Sequence, residues 1–243
     1  MKLSIVTATF NAAVQLPALI ESLQQQTDPD FEWVVMDGNS RDGTVELLRS
    51  LSDLPLVWRS EPDFGIYDAL NKAVKVARGE YYLVVGADDV LDPVAVANFK
   101  KLAAESSADI LTAAVVFGGS CGVLTRPRGP AWLRGQMAYV TCHSVGAAIR
   151  KSLHDRKEVG WYSRAFPICA DQLFIKRAVQ SGACVAVGDF LAGRFGDNGV
   201  SSVNVAGVLT EFFRVQLQTE RLKTVQVVLF ILRLLRHFPK LLR

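Results

Sequence analysis

Several protein classes are excluded by what the sequence lacks. Its four cysteines, Cys121, Cys142, Cys169 and Cys184, are scattered, with no C-x-x-C pair and no metal-ligand spacing. That pattern speaks against a disulfide scaffold or zinc module and for a reduced, cytosolic chain. No G-x-G-x-x-G follows the first strand-like run, and no G-x-x-x-x-G-K-[ST] occurs anywhere, which argues against a dinucleotide oxidoreductase and a P-loop enzyme. No uninterrupted run approaches the ~20 apolar residues that a spanning helix needs. The opening "MKLSIVTATFN" enters a strand-like run at once, too short and polar for a signal peptide. Internal repeats and low-complexity stretches are also absent.

What is present is a chain of 243 residues, half of them hydrophobic, enough for one large domain with a real core. The net charge is +3, unevenly spread. Residues 221 to 243 carry six basic side chains and no acid, so residues 1–220 sum to −3. A mildly acidic body with a basic tail predicts an anionic partner for the tail.

The first half alternates strand-like and helix-like segments. "KLSIVTA", "FEWVVMD", "PLVWRS" and "EYYLVVGA" read as strands, and "VQLPALIESLQQQ", "GTVELLRSL" and "GIYDALNKAVKVARG" as helices. Another helix is expected to open at Asp92-Pro93. Such alternation predicts an α/β fold with a mainly parallel sheet flanked by helices, and ligands outside the carboxyl ends of its strands. In the second half, "ADILTAAVVF" and "SVGAAIR" read as strands and "DQLFIKRAVQSG" as a helix. "RFGDNGVSS" reads as a loop, and the pattern is helical from about residue 203. The expected division is one α/β domain over residues 1–202 and a helical extension over 203–243.

Three strand ends carry polar side chains: Thr7 and Thr9, then Asp37, then Asp88 and Asp89. Within "GADDVLDP", Asp92 is explained as a cap. Asp88 and Asp89 are either turn residues or, as adjacent anions that repel, partners of a hard divalent ion such as Mg2+ or Mn2+ that also grips phosphate. Asp37 is either a turn former or an acceptor for a nucleobase N–H.

Five segments in order, "SIVTATFNAA", "WVVMDGNSRDGT", "EPDFGIYDALNKA", "ARGEYYLVVGADD" and "ADQLFIKRAVQSGA", resemble family 2 glycosyltransferases of the GT-A fold. The likeness is greatest to the bacterial exopolysaccharide, lipopolysaccharide and colanic-acid-type branch, and it spans roughly residues 3–202. It implies an inverting, metal-dependent transfer from a nucleotide-diphosphate sugar. Position by position, it implies that Asp37 reads the base and that the backbone of Thr7, Ala8, Thr9 and Phe10 lines the base pocket. It places Asp63 at the donor border, Asp88 near the ribose, Asp89 on the metal, and Asp171 as general base. The chain departs from the family pattern at Ala87, where an acid is usual, and at Ala170, where many relatives carry Glu. The Q-x-x-R-W signature of processive synthases is absent, since Trp33, Trp58, Trp132 and Trp161 all lack a preceding Arg. Single addition is therefore expected.

Other readings stand beside these. Asp171 at a helix start is also a natural N-cap. His143, in "TCHSVGAAIR", is either a structural histidine or a contact to diphosphate or acceptor. Arg194, at the start of "RFGDNGVSS", is a candidate phosphate contact if that loop is a lid. In the tail, Arg233, Arg236, Lys240 and Arg243 fall on one side of a helix wound at about 100° per residue. Phe230, Ile231, Leu234, Leu235, Phe238, Leu241 and Leu242 fall on the other, with Pro239 expected to end or kink the helix near Phe238. This is an interfacial pattern for an anionic membrane surface, with packing on the domain or on a second subunit as the alternative. It suits a polyprenyl-diphosphate- or other lipid-linked glycan acceptor at the cytoplasmic face of the inner membrane, and leaves a homo-oligomer open. Nucleic acid is not expected as a partner, because no base-stacking aromatics interleave the basic residues. The rival functions are an inactive sugar-nucleotide-binding subunit and a nucleotidyltransferase. The latter usually carries a Gly/Arg/Lys-rich loop where this chain has "TFNAAVQLP".

Overall fold

A computed structural model describes residues 2–117, 122–196 and 204–241, with the side chains of 123, 240 and 241 excepted. Cys121, residues 197–202 of the expected loop, and Leu242 and Arg243 lie outside the described residues.

Among the described residues, nine strands form one sheet. In chain order they are β1 (Leu3–Thr9), β2 (Phe31–Asp37), β3 (Leu56–Ser60), β4 (Tyr81–Val84), β5 (Val90–Leu91), β6 (Ile110–Phe117), β7 (Val123–Thr125), β8 (Ala147–Arg150) and β9 (Val185–Phe195). The order across the sheet is β3-β2-β1-β4-β8-β6-β9-β5, with β7 paired to β6. The β3-β2-β1-β4 half is parallel throughout. Beyond it, β8 runs antiparallel to both β4 and β6, and β9 returns parallel to β6. The sheet is thus mixed: its N-terminal half is wholly parallel, and in the rest only the β6–β9 pair is parallel.

Among the described residues eight α-helices accompany it: α1 (Leu16–Gln24), α2 (Thr44–Ser50), α3 (Ile66–Val76), α4 (Ala95–Ser106), α5 (Ala131–Arg134), α6 (Ala170–Gln180), α7 (Val205–Thr219) and α8 (Lys223–Leu241). Strand alternation sorts the core into two layers. Leu3 and Ile5 of β1, with Trp33 and Val35 of β2, pack with Leu16 and Leu19 of α1 and Phe99 of α4. Val6, Val34 and Met36 point the other way, against Leu70 and Val74 of α3 and Leu173 and Phe174 of α6. Because both faces are covered, β1 and β2 are buried along almost their whole length, which explains their near-continuous apolar sequence. The edge strand β3 is partly exposed.

Three local expectations change. The helix expected at Asp92-Pro93 begins at Ala95, and Asp92 Oδ1 instead accepts the Val94 N–H (3.2 Å) in the turn before it. The first two residues of "RFGDNGVSS" are not loop: Arg194 and Phe195 end the eleven-residue strand Val185–Phe195. The last helix runs through Pro239 to Leu241. Proline there removes only the bond to the carbonyl of Leu235, an exposed residue.

The C-terminal helices are packed against the body. Lys176 of α6, fully buried, reaches Gln216 Oε1 and Glu220 Oε1 at the end of α7, both at 2.5 Å. Burial lowers its pKa, opposed by the Glu220 carboxylate. α8 lies on α7 through stacked Phe213 and Phe230 rings (4.4 Å) and through Arg233 over the Phe212 ring (4.6 Å). Phe230, Leu234 and Arg233 therefore turn toward the protein. The outward face carries Val227, Val228, Ile231, Leu232, Leu235 and Phe238, all exposed. The tail is amphipathic as expected, but its apolar face is rotated from the one read off the sequence. Among the described residues, no helix is long and apolar enough to cross a membrane.

Candidate active site

The carboxyl ends of β1, β2 and β4 converge, as parallel register requires: Thr9 lies beside Asp37, and Val6 beside Val84. Asp37 is buried. Its Oδ1 accepts Thr9 Oγ1–H (2.9 Å) and the Ser40 hydroxyl (2.5 Å), and its Oδ2 accepts the Ser40 N–H (2.9 Å) and the Ser60 hydroxyl (2.6 Å). Burial pushes this carboxyl up, but the bonds from Ser40, Ser60 and Thr9 outweigh it and hold the group below the ordinary carboxylate range. All four acceptor positions are filled from within the protein. Thr7 points into the core, where its Oγ1 accepts the Trp33 indole N–H (3.0 Å). The Phe10 ring is exposed (68%). A Cβ added to Gly38 would lie 2.8 Å from Asp63 Oδ2 and 3.4 Å from the Phe10 ring, so Asp63 and Phe10 flank the turn after Asp37. Asp63 Oδ1 accepts the Gly65 N–H (2.8 Å) at the start of α3.

The adjacent acids after β4 have opposite fates. Asp89 is fully buried, with Oδ2 accepting the Gly86 N–H (2.7 Å) and Oδ1 the Gly196 N–H (3.3 Å). Burial pushes its carboxyl above the ordinary range, opposed by His143, whose Nδ1 is 3.7 Å away, and by the Gly86 amide. Asp88 is only partly buried and faces a cavity of about 260 Å³. Two glycines make room for it: a Cβ on Gly86 would sit 3.0 Å from Asp88 Oδ1, and one on Gly196 only 2.4 Å from Oδ2.

The same cavity is bounded by Asp171, Tyr67, Gln136, Gln172 and His143. Asp171 lies in the first turn of α6, but the cap position is Cys169 and no side chain caps it. The carboxylate is used otherwise: Oδ1 accepts the Tyr67 hydroxyl (2.7 Å) and Oδ2 the Gln136 amide N–H (3.1 Å). The Ile168 carbonyl also lies 2.8 Å from the Tyr67 oxygen. The phenol has one proton, and the carboxylate is the stronger acceptor for it. Burial, followed by the Asp171 charge, pushes the Tyr67 phenol well above its usual range, so it stays a donor at neutral pH. The amide groups of Ile168 and of the cap residue Cys169, just before α6, are met by Glu211 Oε2 of α7, both at 2.9 Å. A helix from the C-terminal extension thus fixes the start of the helix that carries Asp171.

Behind the cavity, Tyr162 packs on Tyr67 (5.5 Å between rings) and joins a buried chain. His154 Nδ1 faces the Gly160 carbonyl (3.0 Å), so this nitrogen carries the proton and Nε2 accepts the Tyr82 hydroxyl (2.8 Å). Tyr82 in turn accepts from Tyr162 (2.7 Å). Burial pushes His154 down to about 4, against the Gly160 bond.

Two buried amide oxygens lining the cavity, Gln136 Oε1 and Gln172 Oε1, have no hydrogen-bond partner among the described residues. Because Gln136 must donate to a carboxylate, its amide orientation is fixed and the free atom is the oxygen. His143 stacks on Phe195 (4.3 Å, 4°) with one edge in the cavity. Arg194 is exposed on β9, opposite Val90 of β5, and does not line the cavity. Asp37, Asp63, the Thr7–Phe10 segment and Asp89 also lie outside its lining. Sequence reasoning gave no role to Tyr67, although it sits in "GIYDALNKA", or to Gln136, for which no sequence pattern gives a signal.

Among the described residues, no three His, Cys, Asp or Glu side chains cluster as a ready metal site. One cavity-facing carboxylate, Asp88, fits an ion of the Mg2+ or Mn2+ kind that takes its remaining positions from phosphate oxygens and water.

Comparison with solved structures defines the fold as GT-A-like. The Staphylococcus aureus TarS 1–349 structure superimposes with a TM-score of 0.71 over 98% of this chain and 72% of that one, at 23% identity. The Pyrobaculum calidifontis mannosyltransferase PcManGT, solved with GDP-Man and Mn2+, gives 0.68 over 98% and 75%, at 18% identity. Residues 4–187 match the pattern of glycosyl transferase family 2, and the chain belongs to that family. A PGL/p-HBAD biosynthesis glycosyltransferase of Mycobacterium tuberculosis is 40% identical over 92 residues, 36% of each chain. The Bacillus spizizenii poly(ribitol-phosphate) beta-glucosyltransferase is 29% identical over 116 residues, 45% of this chain and 18% of that one. The matched stretch therefore spans about a third of the mycobacterial relatives' length.

Proposed function

We propose that this glycosyltransferase moves one sugar, with inversion, from a nucleotide-diphosphate sugar to a hydroxyl of a lipid-linked envelope glycan. The observation that carries this reading is that Asp88, in the turn after β4, and Asp171, in the first turn of α6, face one cavity. TarS, crystallised with UDP and with UDP-GlcNAc, and PcManGT, with GDP-Man, support a nucleotide-sugar donor.

In this reading the base lies near Phe10, Asp63 and the turn after Asp37. Asp37 would meet a base N–H only by exchanging one of its serine partners, so it also serves to shape that turn. Asp88 would hold Mg2+ or Mn2+, which when bound neutralises charge on the diphosphate. Asp89 supports this corner by tying Gly86 and Gly196 together. His143 and Arg194 remain candidate phosphate contacts. The proposed division keeps a transferase domain over residues 1–202 and a helical extension over 203–243, with Glu211 of the extension holding the start of α6.

Asp171 takes the proton of the attacking acceptor hydroxyl. Its two bonds from Tyr67 and Gln136 fix the carboxylate plane while leaving lone pairs free. Tyr67 remains protonated and does not compete as base. The unpartnered Gln136 and Gln172 oxygens accept other hydroxyls of the acceptor sugar. Attack opposite the leaving diphosphate by one oxygen, with one base, inverts the anomeric carbon. Glycosidases, by contrast, need a carboxyl pair across the bond.

A nucleotide panel tests the reading: UDP, dTDP and GDP sugars are compared for thermal stabilisation with and without Mn2+. Ligand at about 100 Kd adds roughly 2.7 kcal/mol to the folded state. One base class should raise the melting point in a metal-dependent way. If no nucleotide does so, the donor reading fails.

A further inference from the structure

We infer that the cleft between α5 and α8 is a binding site for the phosphate of an anionic phospholipid headgroup. This rests on reading the protein as a membrane-surface transferase, and it adds a specific place where the lipid is gripped. The cleft, about 290 Å³, is lined by Leu133, Arg134, Leu229, Leu232, Arg233 and Arg236. It holds three guanidinium groups and no acid. Arg233 donates through Nη2 to the Leu133 carbonyl (2.8 Å), while its buried Nη1 has no partner among the described residues. Burial lowers the pKa of this group, and an unpartnered buried N–H donor is a cost that an anion would remove.

The surface beside the cleft fits the acyl part of the same ligand. Val228, Ile231, Leu232, Leu235 and Phe238 are exposed along α8, and Trp132 and Leu133 are exposed on α5. A contiguous apolar face of this kind is uncommon on a monomer surface. Its chemistry, apolar with an indole and a flank of arginines, is that of an interfacial helix. Charge selects the occupant. A second copy docked face to face would bring the same arginines together with no acid from residues 221–241 to offset them, whereas a phosphate-rich bilayer complements them.

The cleft is also tied to the catalytic cavity. The carbonyls of Ala131 and Trp132 accept from Gln216 of α7, Trp132 also accepts from Gln226 of α8, and Leu133 accepts from Arg233. Arg134 stands two residues before Gln136, which donates to Asp171. A headgroup in the cleft therefore lies beside the acceptor end of the cavity, where a membrane-borne substrate must arrive.

The full chain is tested by co-sedimentation with vesicles of phosphatidylglycerol and phosphatidylcholine, and with phosphatidylcholine alone. Preferential binding to the anionic vesicles is expected. The double variant Arg134→Gln/Arg236→Gln changes two exposed side chains and should bind those vesicles about thirtyfold more weakly. Leu235→Glu should weaken binding as well, and both variants should keep the wild-type melting point. Equal binding of the double variant and wild type, or equal binding to both vesicle types, overturns the site. So does a dimer in light scattering that Leu235→Glu dissociates. The nucleotide panel, run on the same samples, reads the donor site separately, so loss of one reading is distinguishable from loss of the other.

Discussion

The donor end and the acceptor end of the cavity are built by different means. At the donor end, Asp37 and Asp88 follow directly from strands, and their positions are fixed by parallel register and by tight turns with glycine. At the acceptor end, Asp171 sits on a helix and is aimed by side chains from distant parts of the chain. Tyr67 comes from α3 and Gln136 from the segment after α5, while Glu211 of α7 holds the helix start. Backbone-built positions tolerate side-chain changes nearby, whereas side-chain-built positions are vulnerable to single distant substitutions.

The sharpest test of this contrast is Asp171→Asn. It should lower transfer by about 10²–10⁴-fold while nucleotide binding stays near wild type. A parallel loss of nucleotide binding would mean the two ends are not separable. Next is the adjacent pair. Asp88→Asn should abolish the metal-dependent part of nucleotide stabilisation with little change in the unliganded melting point. Asp89→Ala should do the reverse, costing about 2–4 kcal/mol in denaturant titration because two amides lose their acceptor.

The pH dependence of stability probes the wall behind the acceptor end. Folding holds His154 neutral, pushed down to about 4 against an ordinary value of 6.5. The native state therefore binds fewer protons than the unfolded chain between these values. Stability is full above about 6.5 and falls as pH drops toward 4, by roughly 3 kcal/mol. Urea midpoints across that range check this, and His154→Phe should flatten the slope. The smallest expected effect is Glu211→Gln, which weakens the charge-assisted hold on the Ile168 and Cys169 amides by about 1 kcal/mol. It should lower the transfer rate more than it changes nucleotide binding. An equal loss of both would show that α7 supports the whole site and not one end.

Legibility in the sequence followed the same division. The strands at "KLSIVTA", "FEWVVMD", "PLVWRS", "EYYLVVGA", "ADILTAAVVF" and "SVGAAIR" and most helices are legible because their apolar patterns have local periods, whereas the short β5 and β7 and the strand β9 are not. That Asp88 and Asp89 end a buried strand was equally plain. Which of them faces outward was not, because the bend after β4 breaks the alternation that would have assigned it. Arg194 was read as loop because "RFGDN" is rich in turn formers, yet pairing of Val90 with Arg194 and of Val116 with Arg194 keeps that end in the sheet. Gln136 carried no signal at all, since its role depends on a carboxylate 35 positions later. The tail's amphipathicity was visible, but docking of Phe230 and Arg233 on α7 determines which residues remain outside.

By itself, the sequence determined the alternating α/β order, the acids at the strand ends and the excess of positive charge in the last helix. These are properties of neighbouring residues, set by periodicity, turn chemistry and composition. Only the tertiary structure decided that Asp88 faces the cavity and Asp89 does not, that Tyr67 and Gln136 aim Asp171, and that three arginines share a cleft. Each of those depends on contacts between segments far apart in the chain, which packing creates and no local pattern encodes.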